Sequence, residues 1–325
     1  MKRIIFITLG VIAFAIVAIL IYLNVAFPKV SKAPDLKIEA TPERLERGKY
    51  LANHVTVCID CHSQRDFSYF SGPIVSGTEG RGGDRFGEEM GFPGTFYPPN
   101  LTPHHLGSWT DGEIYRAITS GVNKDGKALF PVMPWHNYGK MAKSDIYSII
   151  VYLRSLEPVK YDNPKSETSF PMNIIMKMMP SDAVLPENVD KSNTLEYGRY
   201  LTTAASCQDC HSQSEKGKPI PGMEFAGGME FKTPLGTSRS ANITPDKESG
   251  IGNWTKDEFV KHFQSFDPTI HPLIKVEKGE FNTVMPWNMY GGMKEEDLAA
   301  IYEYLRTVKA VKNKVVHFSA PDQRK

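Results

Sequence analysis

The chain begins with a long apolar run and continues with shorter stretches in which apolar residues recur at helical spacing. No charged residue occurs from position 4 to position 28, where most residues are Ile, Val, Leu, Ala or Phe. At about 1.5 Å per residue, a helix over this run exceeds the ~30 Å hydrocarbon core of a bilayer. The pattern predicts a transmembrane helix within residues 1–28 and a juxtamembrane linker over residues 29–40.

A cleaved signal peptide is the alternative interpretation of the same run. Its apolar core is shorter, about 7 to 15 residues, and ends at a small-x-small cleavage site. Ser31-Lys32-Ala33 resembles such a site, but Pro34 follows it directly. We therefore favour a retained single-span anchor. Basic residues flank the run on both sides, so their count does not set its orientation.

The rest of the chain contains two copies of one sequence pattern, which indicates two related domains. The matched segments are 46–51 and 196–201, 100–103 and 242–245, 109–110 and 254–255, 132–135 and 284–287, and 152–154 and 304–306. The predicted organisation is a first domain at 41–157, a linker at 158–191, a second domain at 192–312 and a tail at 313–325. Unequal loops at 72–94 and 266–281 are where the two copies should differ in function.

Capping residues and apolar periodicity predict helices at matched places in both copies. Helix starts are indicated by Thr41 before Pro42, by Asn193 with Glu196, and by the capping boxes Thr110 to Glu113 and Thr255 to Glu258. The last helix of each copy carries an apolar face formed by Ile146, Ile149, Ile150 and Leu153, and by Leu298, Ile301, Tyr302 and Leu305. The predicted fold class is all-α, with two tandem domains after the N-terminal transmembrane helix.

Glycine occupies the same place in the first predicted helix of each copy, at Gly48 and Gly198. A helical glycine costs about 1 kcal/mol relative to alanine. The pairing indicates close approach of a second helix, for which the terminal helix carrying Tyr152 or Tyr304 is the candidate.

All four cysteines belong to two copies of one motif, Cys58-Ile59-Asp60-Cys61-His62 and Cys207-Gln208-Asp209-Cys210-His211. Cys-x-x-Cys-His is the covalent attachment signature of haem, in which two thiolates add to the vinyl groups and the histidine becomes the proximal iron ligand. The motifs predict two haem c groups held by Cys58, Cys61 and His62 and by Cys207, Cys210 and His211.

Two other uses of paired cysteines remain open on spacing alone. Four cysteines could form one zinc site, and each pair could act as a redox dithiol. Haem is favoured because a histidine follows both pairs directly, and because each pair lies in its own copy of a longer repeat with its own downstream methionine.

A second axial ligand is expected for an iron that passes electrons without binding substrate, and a thioether on that side raises the reduction potential. Met133 and Met285, both in Val-Met-Pro-Trp, are the candidates. Met141 and Met293 also match between the copies, but they lie beside the terminal helix and are expected to pack there. His136 could instead ligate the first iron, although Asn288 takes its place in the second copy.

The linker contains a methionine cluster at Met172, Met176, Met178 and Met179. These residues could be spare iron ligands or a docking surface, or they could fill gaps between the two domains. We favour the packed linker because methionine adapts readily to irregular gaps.

The chain carries 38 Lys and Arg against 37 Asp and Glu, a formal net charge of +1. This balance gives no indication of a nucleic acid partner and no strong field for steering charged partners.

The order of these motifs resembles the class I cytochrome c fold, and in particular the multihaem cytochrome c subunits of membrane-bound alcohol and aldehyde dehydrogenases. The resemblance covers roughly residues 41 to 310. It implies that Trp135 and Trp287 lie near the haems, where an indole N–H could donate to a propionate. It also implies that haem is attached outside the cytoplasmic membrane, so that the soluble part faces the periplasm or the cell exterior. Such subunits typically carry three haem domains, whereas this sequence has two motifs.

The leading hypothesis is a membrane-tethered dihaem electron carrier between a periplasmic donor, such as a dehydrogenase or a quinol-oxidising complex, and a respiratory acceptor such as a terminal oxidase. No side-chain catalysis is required for this role. The alternative is the electron-accepting subunit of a dehydrogenase complex. A dihaem peroxidase-type enzyme is disfavoured because both copies offer a methionine where such an iron needs an open position.

Overall fold

The structure is a computed structural model that describes residues 1–215, 218–233, 235–277 and 279–320. Its first element is a 25-residue helix, α1 (Lys2–Ala26), in which no residue is buried. This helix is long and apolar enough to cross a membrane. The predicted N-terminal apolar helix is therefore present.

Helices form most of the regular structure after α1. In the first copy they are α2 (Pro42–Tyr50), α3 (Cys58–Cys61), α4 (Pro103–Leu106), α5 (Asp111–Ser120), α6 (Trp135–Tyr138) and α7 (Lys143–Ser155). A short helix in the linker is α8 (Met172–Ile175). In the second copy they are α9 (Thr194–Ala204), α10 (Cys207–Cys210), α11 (Lys256–Gln264), α12 (Trp287–Tyr290) and α13 (Glu295–Leu305).

The predicted helix starts are confirmed by their capping hydrogen bonds. Thr110 and Thr255 each accept a bond from the backbone of the glutamate three residues later, and that glutamate bonds back to the threonine backbone. The side chains of Thr41 and Asn193 cap α2 and α9 in the simpler one-sided way. A π-helical turn at Leu51–Val55 continues α2 toward the first cysteine.

The first and last helices of each copy cross at a glycine. A Cβ atom at Gly48 would lie 1.8 Å from the carbonyl oxygen of Ser148 in α7 and 2.9 Å from Cβ of Tyr152. A Cβ at Gly198 would lie 1.9 Å from the carbonyl oxygen of Ala300 in α13. The predicted close approach of the terminal helix is thus confirmed in both copies, because no side chain fits in these crossings.

Small antiparallel sheets accompany the helices, so the expectation of an all-α fold was too simple. The strands are β1 (Gly94–Thr95) paired with β2 (Glu167–Thr168), β3 (Ser214–Glu215) paired with β4 (Lys218–Pro219), and a three-stranded sheet of β5 (Glu230–Thr233), β6 (Gly236–Arg239) and β7 (Phe318–Ser319). β1 with β2 and β6 with β7 pair segments far apart in the sequence, which local periodicity does not indicate. β3 with β4 and β5 with β6 pair neighbouring segments.

One hydrophobic cluster runs through both copies. It includes the predicted apolar faces of α7 and α13, in which Ile146, Ile150 and Leu298 are fully buried. The core therefore sits between the helices of each copy and continues across their junction.

The linker packs only in part. Leu185 is buried, and the backbone N–H of Lys143 donates to the carbonyl oxygen of Pro186. The methionine cluster differs, because no residue of α8 or of the following 3-10 turn, Met176–Met178, is buried. Met178 and Met179 are exposed, whereas Met172 and Met176 are half-buried, so the expected packing of these methionines is not met at Met178 and Met179.

The longer loop of the second copy folds onto the first copy. The N–H of Phe70 donates to the carbonyl oxygen of Ile274, and the N–H of Val276 donates to that of Ser68. One position of this predicted loop, residue 278, and the end of the predicted tail, residues 321–325, lie outside the described residues.

Candidate functional site

The two Cys-x-x-Cys segments form matched one-turn helices, α3 and α10, each followed directly by its histidine. The residue before each helix has left-handed backbone angles, with φ 45° at Val57 and φ 55° at Ser206. Such angles cost of order 1–3 kcal/mol for a residue other than glycine, and they are a genuine outlier for a β-branched one. The surrounding fold thus forces the same sharp backbone turn directly before both motifs. The sequence did not indicate this turn.

Both motif histidines are buried and oriented by a backbone carbonyl. Nδ1 of His62 lies 2.7 Å from the carbonyl oxygen of Pro99, and Nδ1 of His211 lies 2.7 Å from that of Ala241. Because a carbonyl oxygen only accepts, Nδ1 carries the proton and Nε2 is left with its lone pair. Burial lowers the pKa of His62 to about 4 and also lowers the pKa of His211. Both rings are therefore neutral, as an iron ligand must be.

The repeated Asn-x-Thr-Pro motif explains how those carbonyl groups are positioned. Nδ2 of Asn100 donates to the carbonyl oxygen of Val159 at 2.8 Å, while its Oδ1 accepts from the backbone and hydroxyl of Thr102. Asn242 makes the same bonds to Val311 and Thr244. The asparagine ties the loop that orients the histidine to the chain beyond the terminal helix. Its repetition was the sequence signal for this role.

The four thiols are not joined in disulfides. Cys58 and Cys207 are half-buried, whereas Cys61 and Cys210 are exposed. Burial raises the pKa of Cys58, and it raises the pKa of Cys207 to about 12. Over the part of the chain that the structure describes, no group of three or more His, Cys, Asp or Glu side chains is arranged to hold a metal ion. This geometry does not favour the four-cysteine zinc site.

The methionine loops are anchored beside the approach to each motif. Tyr138, at the end of α6, donates its hydroxyl to the carbonyl oxygen of Thr56, and Tyr290 of α12 does the same to Ala205. Each acceptor stands two residues before the first cysteine of its own motif. Met133 and Met285 therefore lie in loops fixed to the matching motif.

The two methionine pairs that the sequence indicated as candidate ligands differ in their burial. Met141 and Met293 are 1% and 3% exposed and belong to the hydrophobic core. Met133 and Met285 are only partly buried at its edge. A methionine at the edge of the core is free to face a bound group, whereas a fully packed one is not.

The residues around the first motif fit a haem, because a buried donor there lacks an acceptor. Nε1 of Trp135 is buried, and no described residue forms a hydrogen bond with it. Its ring packs against Gly121, where an added Cβ would lie 2.6 Å from the indole. Buried polar groups in native proteins are nearly always paired, and a haem propionate is an acceptor of the kind expected here. Trp287, its counterpart, is partly exposed and packs edge-on against His262.

The aspartates inside the two motifs have different surroundings. Asp60 is 3% exposed, and its Oδ2 lies 3.1 Å from Nη1 of Arg65. Burial raises the pKa of Asp60 to about 6, although Arg65 opposes this shift. Asp209 is exposed and accepts a 2.9 Å hydrogen bond from Nδ2 of Asn137 in α6. The two motifs are therefore electrostatically unequal.

Each methionine loop also contacts the other copy. Besides Asn137, His136 places Nε2 3.1 Å from Asp209 of the second motif. In return, the hydroxyl of Ser71 donates to the carbonyl oxygen of Met285 at 2.5 Å and accepts from the backbone N–H of Trp287 at 2.9 Å. His136 is thus directed at the second motif as an aspartate partner. These reciprocal contacts bring both candidate sites to the junction of the copies, which the sequence did not show.

Comparison with known proteins supports the resemblance. No family model matches the chain. It is 25% identical over 291 residues to "Alcohol dehydrogenase (quinone), cytochrome c subunit" of Gluconacetobacter polyoxogenes, covering 84% of this chain and 58% of that protein. It is 27% identical over 279 residues to "Fructose dehydrogenase cytochrome subunit" of Gluconobacter japonicus, covering 82% and 53%. The chain spans about half the length of these curated relatives.

A shorter relative matches over most of both sequences. "Diheme cytochrome c-type" of Cereibacter sphaeroides is 26% identical over 265 residues, which cover 78% of this chain and 82% of that protein. The relative and this chain, with its two motifs, are therefore of similar extent. Over most of its length, this chain is similar to cytochrome c subunits of dehydrogenases and to a dihaem c-type cytochrome.

Proposed function

We propose that the chain is a membrane-anchored dihaem c-type cytochrome that passes electrons between a periplasmic donor and a respiratory acceptor. The observation that carries this proposal is the duplicated Cys-x-x-Cys-His helix with a buried histidine whose Nδ1 is bound to a backbone carbonyl group. Two such rings, neutral and oriented alike, are prepared to bind metal through Nε2.

Two covalent haems are assigned to matched sets of residues. Cys58 and Cys61 would hold one haem through thioether links, and Cys207 and Cys210 would hold the other. His62 and Met133 would ligate the first iron, and His211 and Met285 would ligate the second. When bound, each haem iron supplies one-electron oxidation and reduction.

The chain's own groups orient the ligands. The carbonyl oxygens of Pro99 and Ala241 fix the imidazole tautomers. Tyr138 and Tyr290 hold the methionine loops near the motifs. Trp135 offers a buried N–H to an anionic oxygen. No residue is needed to move a proton.

The two copies serve as tandem cytochrome c-like domains at residues 41–157 and 192–312, joined by the linker at 158–191. The matched pairs α2 with α7 and α9 with α13 support this division. We place the domains on the periplasmic side of the cytoplasmic membrane, with α1 as a retained single-pass anchor rather than a cleaved signal.

The redox partners follow from the relatives and from the expected location. A dehydrogenase is the proposed donor, because the named relatives are cytochrome subunits of dehydrogenases. A quinol-oxidising complex is an alternative donor, and a terminal oxidase is the proposed acceptor. The same relatives favour a second candidate function, in which the chain is the cytochrome subunit of one dehydrogenase complex. A dihaem peroxidase is disfavoured, since both copies offer a methionine as sixth ligand.

A haem count on the full chain, purified in detergent, tests the proposal. The pyridine haemochrome assay should give two haems per chain, and Cys58→Ser with Cys61→Ser should remove one. Cys207→Ser with Cys210→Ser is the matched variant and should remove the other. A count of zero in the parent chain, or an unchanged count in both variants, would overturn the assignment. Co-purification of a dehydrogenase subunit from membranes distinguishes the complex from the free carrier.

A further inference from the structure

The segment between the two copies exposes apolar side chains next to the membrane helix. We call residues 170–179, which contain α8 and the following 3-10 turn, the methionine segment. Phe170 is 76% exposed, Met178 44%, Met179 39% and Ile175 37%. Exposed apolar residues clustered on one short segment mark an interaction surface more often than single ones do.

Two contacts hold this region where α1 ends. Nζ of Lys177 donates to Oδ1 of Asn24, in the last turn of α1. Just beyond the segment, Asp182 accepts hydrogen bonds from the backbone N–H and the hydroxyl of Ser31, at 2.9 and 2.8 Å. The methionine segment therefore lies at the depth at which the chain leaves the apolar helix.

The other side of the segment is fixed to the first copy. β2 pairs with β1 directly before it, and the hydroxyl of Ser169 donates to Glu88 at 2.9 Å. The hydroxyl of Thr168, in β2, reaches the sulfur of Met176 in the segment at 3.3 Å. Contacts on both sides give the segment a defined position relative to α1 and to the first motif.

The charge of this region suits a lipid surface. No acidic residue occurs from position 169 to position 181, and Asp182 is engaged by Ser31. Lys29 and Lys32 are exposed on the chain that follows α1, and Lys177 adds a third cation. Apolar side chains bordered by lysines match the boundary between acyl chains and anionic headgroups.

We propose that the methionine segment is a second membrane contact, with Phe170, Ile175, Met178 and Met179 inserted into the headgroup boundary of the bilayer that α1 spans. A single span attaches the soluble part to the membrane at one place and does not by itself set its tilt. A second contact sets that tilt and gives the two motifs a fixed orientation toward the membrane.

A nitroxide spin label reports this contact directly on the full chain. The label is placed by Ile175→Cys, with Met178→Cys as a second position, in vesicles of equal parts phosphatidylcholine and phosphatidylglycerol. Val184→Cys is the matched control, because Val184 is apolar and 94% exposed but lies beyond the segment. Ile12→Cys marks the interior of α1. Unchanged haem absorbance selects the variants that are correctly assembled.

The expected result is that labels at positions 175 and 178 collide more with oxygen than with a water-soluble nickel chelate, as the label at position 12 does. The label at position 184 should show the reverse. If positions 175 and 178 behave like position 184 while position 12 remains lipid-exposed, the second contact is refuted and the span stands. Protection of positions 175 and 178 only after a dehydrogenase is added would assign the surface to a protein partner and also refute the proposal.

Discussion

The hydroxyl of Tyr50 donates a 2.7 Å hydrogen bond to Oδ2 of Asp297 and so joins the first helix of one copy to the last helix of the other. The reciprocal bond runs from Tyr200 to Oδ2 of Asp145 at 2.6 Å. Burial raises the pKa of both tyrosines, so each keeps its proton. The pair relates the two copies symmetrically, and it fixes the junction at which both candidate haem sites lie.

Removing the two hydroxyl groups should have unequal effects on stability. Asp145 also receives Nε and Nη2 of Arg47 at 2.9 and 2.8 Å, whereas Asp297 has no salt bridge among the described residues. Tyr200→Phe should therefore cost about 0.5–1.5 kcal/mol, and Tyr50→Phe about 1–3 kcal/mol, because the latter leaves a buried carboxylate without this partner. Chemical denaturation of the full chain in detergent measures the difference. Equal losses, or a larger loss for Tyr200→Phe, would contradict the assigned roles.

The helix crossings predict an unusual effect of alanine. In an exposed helix Gly→Ala stabilises by up to about 1 kcal/mol. At Gly48 and Gly198 the new Cβ would meet a backbone carbonyl oxygen at 1.8 and 1.9 Å, so α7 or α13 must move. We expect a loss of about 1–3 kcal/mol or more. Lys49→Ala, at an exposed position of the same helix, is the control and should change the midpoint little. A stabilising Gly48→Ala would show that the helices are not in contact there.

Local patterns predicted the parts of the fold that depend on neighbouring residues. Thr110 with Glu113 marked a helix start because both partners of a capping box lie within one turn. The paired Gly48 and Gly198 predicted the crossings because a glycine repeated at one helical position indicates close approach of another backbone. The Cys-x-x-Cys-His spacing indicated the cofactor because its chemistry requires adjacent groups.

Features that depend on distant segments were not predictable in the same way. Tyr50 and Asp297 meet only because two helix faces from different copies dock. The left-handed backbone angle at Val57 is disfavoured for a β-branched residue, so local preferences could not predict it. The methionines at 172–179 were expected to be packed because methionine adapts to irregular gaps. Composition does not show which surface a linker faces.

The side chain of Asn100 should affect the reduction potential of the haem held by His62, because it positions the loop whose carbonyl group bonds to that histidine. Asn100→Ala frees the loop whose Pro99 carbonyl oxygen accepts from Nδ1 of His62, which weakens that bond and makes the imidazole a poorer donor to iron. We expect one of the two midpoint potentials to rise while the other stays in place. Redox titration followed by haem absorbance measures this.

Asn242→Ala is the matched variant and should move the other potential. The assignment fails if either variant, with both haems retained, shifts both potentials or neither.

Trp135 should affect the same potential in the opposite direction. If its buried N–H donates to a propionate, Trp135→Phe leaves that negative charge less compensated and lowers the potential of the first haem. Trp287→Phe should have a smaller effect, since Trp287 is partly exposed. Resonance Raman spectra in the propionate bending region provide a second readout. An unchanged spectrum and potential in Trp135→Phe would refute the propionate contact.

The most direct test of two His/Met haems is the ferric absorption spectrum of Met133→Leu and Met285→Leu, with Met141→Leu as the fully buried control. Leucine nearly keeps the side-chain volume but cannot ligate iron. Each of the first two variants should lose about half of the sulfur-to-iron charge-transfer absorbance, because one of two ligands is removed, and one midpoint potential should fall. The double variant should lose the band entirely, and Met141→Leu should keep it. Full absorbance in both Met133→Leu and Met285→Leu, or its loss in Met141→Leu, would contradict ligation of the two irons by Met133 and Met285.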